Sequence, residues 1–172
     1  MTSPLEAHIR NVPDFPIPGI QFKDITTLLR NGDAMHQAID VFVERYRSMH
    51  IDAVVAIESR GFIFGAPLAY ALGIGLVPVR KVGKLPADTY QIEYALEYGT
   101  ATLEIHKDAF KPGARVVVID DLLATGGTIA AACELVERAG GVVVESAFLI
   151  ELAFLGGREK LTNRAIYTQI TY

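Results

Sequence analysis

Asp120 and Asp121 follow the apolar run Val116-Val-Val-Ile119 and precede, after two leucines, the segment Ala124-Thr-Gly-Gly-Thr128. A β-branched run of this kind reads as a buried strand, and ligands of open α/β sheets bind at the carboxyl ends of such strands. Glycines let backbone N–H groups come close to an anion, and Thr125 and Thr128 add hydroxyl donors. A helix opening at this point turns the positive end of its dipole toward the same spot. The chemistry expected of Ala124, Thr125, Gly126, Gly127 and Thr128 is phosphate binding. No lysine follows the glycines, so this is not the nucleoside-triphosphate P-loop, and the dinucleotide fingerprint GxGxxG is absent. Two carboxylates would repel a phosphate, so Asp120 and Asp121 are expected to face sugar hydroxyls instead.

The surrounding elements read as an α/β domain. Pro13, Pro16 and Pro18 ahead of Gly19 predict a stiff, extended N-terminal arm over residues 1–30. Asp33 is expected to cap a helix running to about His50, with Ile39, Phe42, Val43 and Tyr46 on one face. Ala53–Ile57 reads as a short buried strand ending at Glu58-Ser-Arg-Gly61. From Gly61 to Val79 there are 19 consecutive residues without a charge, long enough to span a membrane. Pro67, Gly73, Gly75 and Pro78 divide the stretch into a helix stopping at Gly73 and a strand over Leu76–Val79. Burial in a parallel sheet accounts equally for the missing charges.

Over residues 84–106, Tyr90, Ile92, Tyr94, Leu96 and Tyr98 alternate with Gln91, Glu93, Ala95 and Glu97, the period of a strand. Leu103 and Ile105 resume the alternation after Gly99-Thr100, which predicts a hairpin. Beyond Thr128 a helix should run to about Ala139 and close at Gly140-Gly141, followed by strands at Val142–Leu149 and near Ile166–Ile170. Strands alternating with helices predict a mostly parallel sheet flanked by helices, in a single domain spanning 1–172.

Composition narrows the function classes. The chain has 172 residues, 20 acidic against 16 basic, for a net charge of −4. That balance disfavours nucleic acid as partner, since a phosphate backbone demands excess positive charge, but leaves small phosphorylated ligands open. Cys133 is the only cysteine, which suits a reducing compartment, and Met1–Arg10 has no secretory h-region; a cytoplasmic location is expected. His8, His36, His50 and His106 show no metal-ligand spacing, so no protein-built metal site is expected.

The spaced segments ESRGFIFGAPLAYALG, PVRKVGKLP, LEYGTATLEIHKDA and DDLLATGGT stand in order across Glu58–Thr128, with GIQFKDITTLL before them and GGREKL after. Together they resemble the type I phosphoribosyltransferase family, in its adenine-using branch. The resemblance implies a parallel sheet with a small N-terminal hood over residues 1–30 and a flexible hairpin lid over 84–106. It implies purine salvage: phosphoribosyl transfer from phosphoribosyl diphosphate to adenine, giving AMP and pyrophosphate, with Mg²⁺ held mainly by substrate oxygens. A homodimer is implied, with no nucleic acid and no membrane. Ser59, Arg60 and Gly61 match the pyrophosphate loop, where the guanidinium fork of Arg60 suits two oxygens. Arg80, Lys81 and Lys84 supply further positive charge. The resemblance selects Glu97, with Tyr98 beside it, as the acid/base group on an adenine ring nitrogen, although periodicity places Glu93 on the same strand face. It sandwiches the purine between Phe22 and Leu122, with backbone near Gln21 and Lys23 reading its edge. Lys23 stands where many relatives carry arginine. The alternatives are another purine base (hypoxanthine, guanine or xanthine) and a nucleotide-sensing regulator on the same fold.

Overall fold

The strand Ala53–Ile57 is buried at every position because both of its faces are covered. It is β3 of the computed structural model, which describes residues 3–96 and 99–172. Before it come β1 (Arg10–Pro13), β2 (Gln21–Asp24), α1 (Thr26–Leu29) and α2 (Gly32–Tyr46). After it come α3 (Arg60–Leu72), β4 (Gly75–Lys81), β5 (Thr89–Ala95), β6 (Thr100–His106), β7 (Arg115–Leu123), α4 (Gly127–Arg138), β8 (Val142–Glu151) and β9 (Ile166–Thr171). The main sheet has the order β5-β6-β4-β3-β7-β8-β9. Strands β4, β3, β7, β8 and β9 run parallel, and the β5–β6 hairpin joins antiparallel. The hairpin pairs with the sheet through Arg80↔Glu104 and Lys81↔Leu103, at the carboxyl end of β4.

Alternation along the central strands divides the core in two. Val54, Ala56, Val117 and Ile119 face α2 and α3, whereas Val55, Ile57, Val116 and Val118 face α4. Phe42 of α2 meets Phe64 of α3 edge-on at 6.5 Å, and Cys133 is buried on α4. Glu145 of β8 ties α2 to the sheet, accepting from Arg45 at 2.5 and 2.6 Å and from the Tyr46 hydroxyl at 2.7 Å.

Several sequence expectations are refined. The uncharged stretch is helix, turn and strand, and among the described residues no helix is long and apolar enough to cross a membrane. Pro67 lies inside α3, where its ring forgoes one helical hydrogen bond. Asn31, not Asp33, caps α2, its side chain accepting from the Ala34 amide at 3.1 Å. That helix stops at Tyr46, short of His50. The N-terminal segment is not simply extended: β1 and β2 pair antiparallel, Pro13 ends β1, and Pro16 and Pro18 occupy the connection.

Gly61, Gly65 and Ala69 recur every fourth residue and form the face by which α3 lies on β3 and β7. A Cβ at Gly65 would stand 2.6 Å from Ala56 Cβ and 3.1 Å from Ile119 Cγ2. Close approach here is what seats Arg60, the first residue of α3, against β7. Gly65→Ala should therefore overpack this contact and lower stability by about 1–3 kcal/mol. Urea unfolding would register it as a lower midpoint at unchanged slope, and an unchanged midpoint would refute the tight seat.

Candidate active site

Strands β3, β4 and β7 are adjacent and parallel, so their carboxyl ends lie along one edge of the sheet. Ser59 and Arg60 follow β3, Lys81 ends β4, and Asp120 and Asp121 lie near the end of β7. With Lys84, Tyr94 and Thr128 these residues line a cavity of about 570 Å³. A second cavity, of about 190 Å³, runs along Leu122–Ile129 and shares Arg60, Asp120, Asp121 and Thr128 with the first. The two are compartments of one groove.

Two helices begin at this groove. No side chain caps the first turn of either α3 or α4, so their leading amides carry the positive end of each dipole without a helical partner. Gly126, at the start of α4, has φ +82°, and a Cβ there would meet the Gly157 carbonyl oxygen at 2.4 Å. A Cβ at Gly157 would meet the Ala124 carbonyl oxygen at 2.3 Å. The GGREKL segment thus supports the Ala124–Thr128 loop by direct backbone packing. The motif was visible in sequence, but nothing in it indicated which loop it backs.

The aspartates are not equivalent. Asp121 is buried and accepts from Arg60 Nε at 2.6 Å, while Asp120 accepts the Asp121 amide at 2.8 Å. Burial, and then the neighbouring Asp121 carboxylate, push the Asp120 carboxyl well above its usual range. Strand β7 also continues to Leu123, so both aspartates lie within it rather than beyond its end as the sequence suggested.

On the basic side, Lys81 and Lys84 line the larger cavity. Arg80 is turned to Glu58: its Nε donates to Glu58 Oε2 at 2.6 Å, and the Lys81 amide donates to Oε1 at 2.9 Å. Burial pushes the Glu58 carboxyl up, but the Lys81 amide and Arg80 outweigh it and hold the group below the usual glutamate value. Gly61 packs against β7, where a Cβ would stand 2.8 Å from the Ile119 carbonyl oxygen.

Tyr94 of β5 links the hairpin to the phosphate-type loop, accepting from the Thr128 hydroxyl at 3.2 Å. Glu97 and Tyr98 lie outside the described residues. Glu93 is exposed on β5 and accepts from the Thr100 hydroxyl at 3.3 Å. Leu122 lines the smaller compartment, but Phe22 on β2 lines neither, its ring packing edge-on against Phe15 at 5.1 Å. Gln21 accepts from Asn11 at 2.7 Å, and Lys23 Nζ stands 3.7 Å from the centre of the Tyr172 ring. Glu58 and Tyr94 went unassigned in the sequence, since an acid in a loop motif and an aromatic on a strand face carry no sign of their partners.

The phosphoribosyl transferase domain family matches residues 24–167. The adenine phosphoribosyltransferase of Chloroflexus aurantiacus is 70% identical over 168 residues, covering 98% of this chain and 97% of that protein. The chain belongs to the adenine phosphoribosyltransferase family. Another member, from Roseiflexus sp., is 63% identical over the full length of both chains. Among solved structures, the adenine phosphoribosyltransferase of Thermoanaerobacter pseudethanolicus superposes with a TM-score of 0.94 at 54% identity, covering 98% of each chain. The Saccharomyces cerevisiae enzyme, complexed with an imino-altritol bisphosphate and adenine, gives 0.91 at 43% identity over 96% of each chain. The α/β architecture with its mostly parallel sheet is that of the adenine phosphoribosyltransferases.

The Glu58 contacts carry a pH dependence. Its folded-state value is depressed, so its contribution is present above the unfolded value near 4.5 and is lost as pH falls through the folded value. Glu58→Gln should cost about 1.5–3 kcal/mol at neutral pH, the range for hydrogen bonds to charged groups. It should also flatten the fall in stability from about pH 5 downward, read from thermal melts across pH. An acid limb as steep as that of the unaltered protein would rule this out.

Proposed function

We propose that this protein works in purine salvage, transferring the 5-phosphoribosyl group from phosphoribosyl diphosphate to adenine and releasing AMP and pyrophosphate. One observation carries the reading: two uncapped helix N-termini flank an aspartate pair within a single groove. The substrate has the matching order of charges, a diphosphate and a 5′-phosphate on either side of a ribose. The yeast relative was solved with adenine and a bisphosphate sugar mimic, which supports the same assignment.

The reaction is a displacement at an anomeric carbon whose leaving group bears heavy negative charge. Its transition state gathers positive charge on the sugar and negative charge on the departing pyrophosphate, so fixed charges of both signs lower the barrier. In our reading Ala124, Thr125, Gly126, Gly127 and Thr128 hold the 5′-phosphate through amides and hydroxyls. Asp120 and Asp121 accept from the ribose hydroxyls and stabilise the cationic sugar. Arg60, Lys81 and Lys84, with Ser59 and Gly61, receive the diphosphate. Asp121 occupies only Nε of Arg60, which leaves its terminal nitrogens to meet diphosphate oxygens. Arg80 acts at one remove, by fixing Glu58 and through it the Lys81 backbone.

Glu97 exchanges the proton of an adenine ring nitrogen, with Tyr98 beside it, and the hairpin closes as a lid that excludes water. The purine lies between Phe22 and Leu122. Strand β2 belongs to a two-stranded sheet, so one of its edges has unpaired backbone groups with which Gln21 and Lys23 read the base. Mg²⁺ would be held mainly by substrate oxygens and water, for which the cavity leaves open space beside Asp120 and Asp121. Bound with the substrate, the ion would neutralise charge on the diphosphate. A homodimer belongs to the proposal, and exposed Phe15, Ile17 and Tyr70 provide apolar surface for it. So does a cytoplasmic location, in keeping with the single cysteine.

Incubation with phosphoribosyl diphosphate, Mg²⁺ and each purine separately should yield nucleotide with adenine and little with hypoxanthine, guanine or xanthine. Preference for a 6-oxopurine would overturn the base assignment. Glu97→Gln should lower kcat by roughly 10²-fold, the lower range for general acid–base catalysis. An unchanged rate would transfer that role to another group.

A further inference from the structure

Lys84 lies in the segment 82–88 that joins β4 to β5, with no helix or strand of its own to hold it. Its position is nevertheless fixed from β6. Glu104 there is 2% exposed, and its Oε1 accepts the Lys84 amide at 2.9 Å and the Leu85 amide at 2.8 Å. Its Oε2 accepts from the Thr89 hydroxyl and the Gln91 side-chain amide, each at 3.3 Å. None of these donors is a cation. The cross-strand neighbour Arg80 is engaged by Glu58 instead.

A buried carboxylate without an ion pair is costly unless hydrogen bonds replace its hydration. Here the loop backbone supplies them. Burial pushes the Glu104 carboxyl up, but the amides of Leu85, Lys84 and Gly83 outweigh it and keep the group ionised below the usual glutamate value. The charge thus selects one loop conformation, the one that turns these amides inward and leaves Lys84 lining the cavity. The same carboxylate binds Thr89 and Gln91 of β5, so cation loop and hairpin share one anchor.

We propose that Glu104 is a positioning residue for the pyrophosphate side of the site, acting through the backbone of Lys84 and Leu85. The inference rests on the phosphoribosyl-transfer reading, and the unaltered protein's own turnover tests that reading separately. The test compares Glu104→Ala and Glu104→Gln in steady-state kinetics and in calorimetric binding of pyrophosphate with Mg²⁺. Losing a charge-assisted acceptor for two amides should raise KM for phosphoribosyl diphosphate, and Kd for pyrophosphate, by about tenfold in Glu104→Ala. KM for adenine should stay within about twofold, and Glu104→Gln, which keeps one acceptor oxygen for the two amides but not the charge, should recover part of the loss.

Unchanged pyrophosphate affinity in Glu104→Ala would overturn the proposal. So would an equal rise in both KM values accompanied by a lowered Tm, the mark of a purely structural residue. Should Glu104→Ala fail to fold, Glu104→Asp takes its place in a double-mutant cycle with Lys84→Ala. Non-additive losses in pyrophosphate affinity are expected there, and additive ones would refute action through Lys84.

Discussion

The parallel pairing of β3 with β7 aligns Ala56 with Ile119, and the rest of the site is built outward from that register. Residues just past these partners, Glu58–Arg60 on one strand and Asp120–Asp121 on the other, are brought to the same edge. A parallel neighbour requires a crossover, and those from β3 to β4 and from β7 to β8 each open with a helix whose first turn lies at the groove. The positive ends of α3 and α4 are therefore consequences of the sheet's topology. Small residues complete the arrangement. Gly61 and Gly65 allow α3 to lie directly on β7, and Gly126 and Gly157 allow two loops to touch backbone to backbone.

Acidic side chains organise this groove as much as basic ones do. Asp121 holds Arg60, Glu58 holds Arg80 and the Lys81 amide, and Glu104 holds the amides of Lys84 and Leu85. Each carboxylate fixes a cation or the backbone beneath one, while Lys81 and Lys84 line the cavity. A chain of net charge −4 can thus bring Arg60, Lys81 and Lys84 together at one groove. Ordering the cations before ligand arrives removes part of the entropy that binding would otherwise have to overcome. The hairpin joins this scheme at two points, through Glu104 and through the Tyr94–Thr128 contact.

Short uninterrupted runs of small and β-branched residues made the central strands legible, and Ala53–Ile57 agrees residue for residue. The turn from β7 into α4 was legible because glycine and threonine cluster there after a buried strand. Helix ends were less so. Asn31 and Asp33 are both good capping residues, and only the path of the chain from α1 decided between them. The proline-rich arm was misjudged as uniformly extended, because proline fixes its own φ but not whether the flanking residues pair. Phe22 and Leu122 could be named as a pair only from resemblance, since they stand a hundred residues apart.

By itself, then, the sequence determined the α/β class, the buried strands and the glycine-rich turn into α4, because each rests on local periodicity or on residues adjacent in the chain. The tertiary structure alone decided which charges act on which. It turned Arg80 toward Glu58 and away from the groove, set Arg60 on Asp121, and made Glu104 an anchor for a loop some twenty residues upstream. The reason is physical: the energy of a charge depends on its distance and burial, and both are set by strand order and register rather than by residue type.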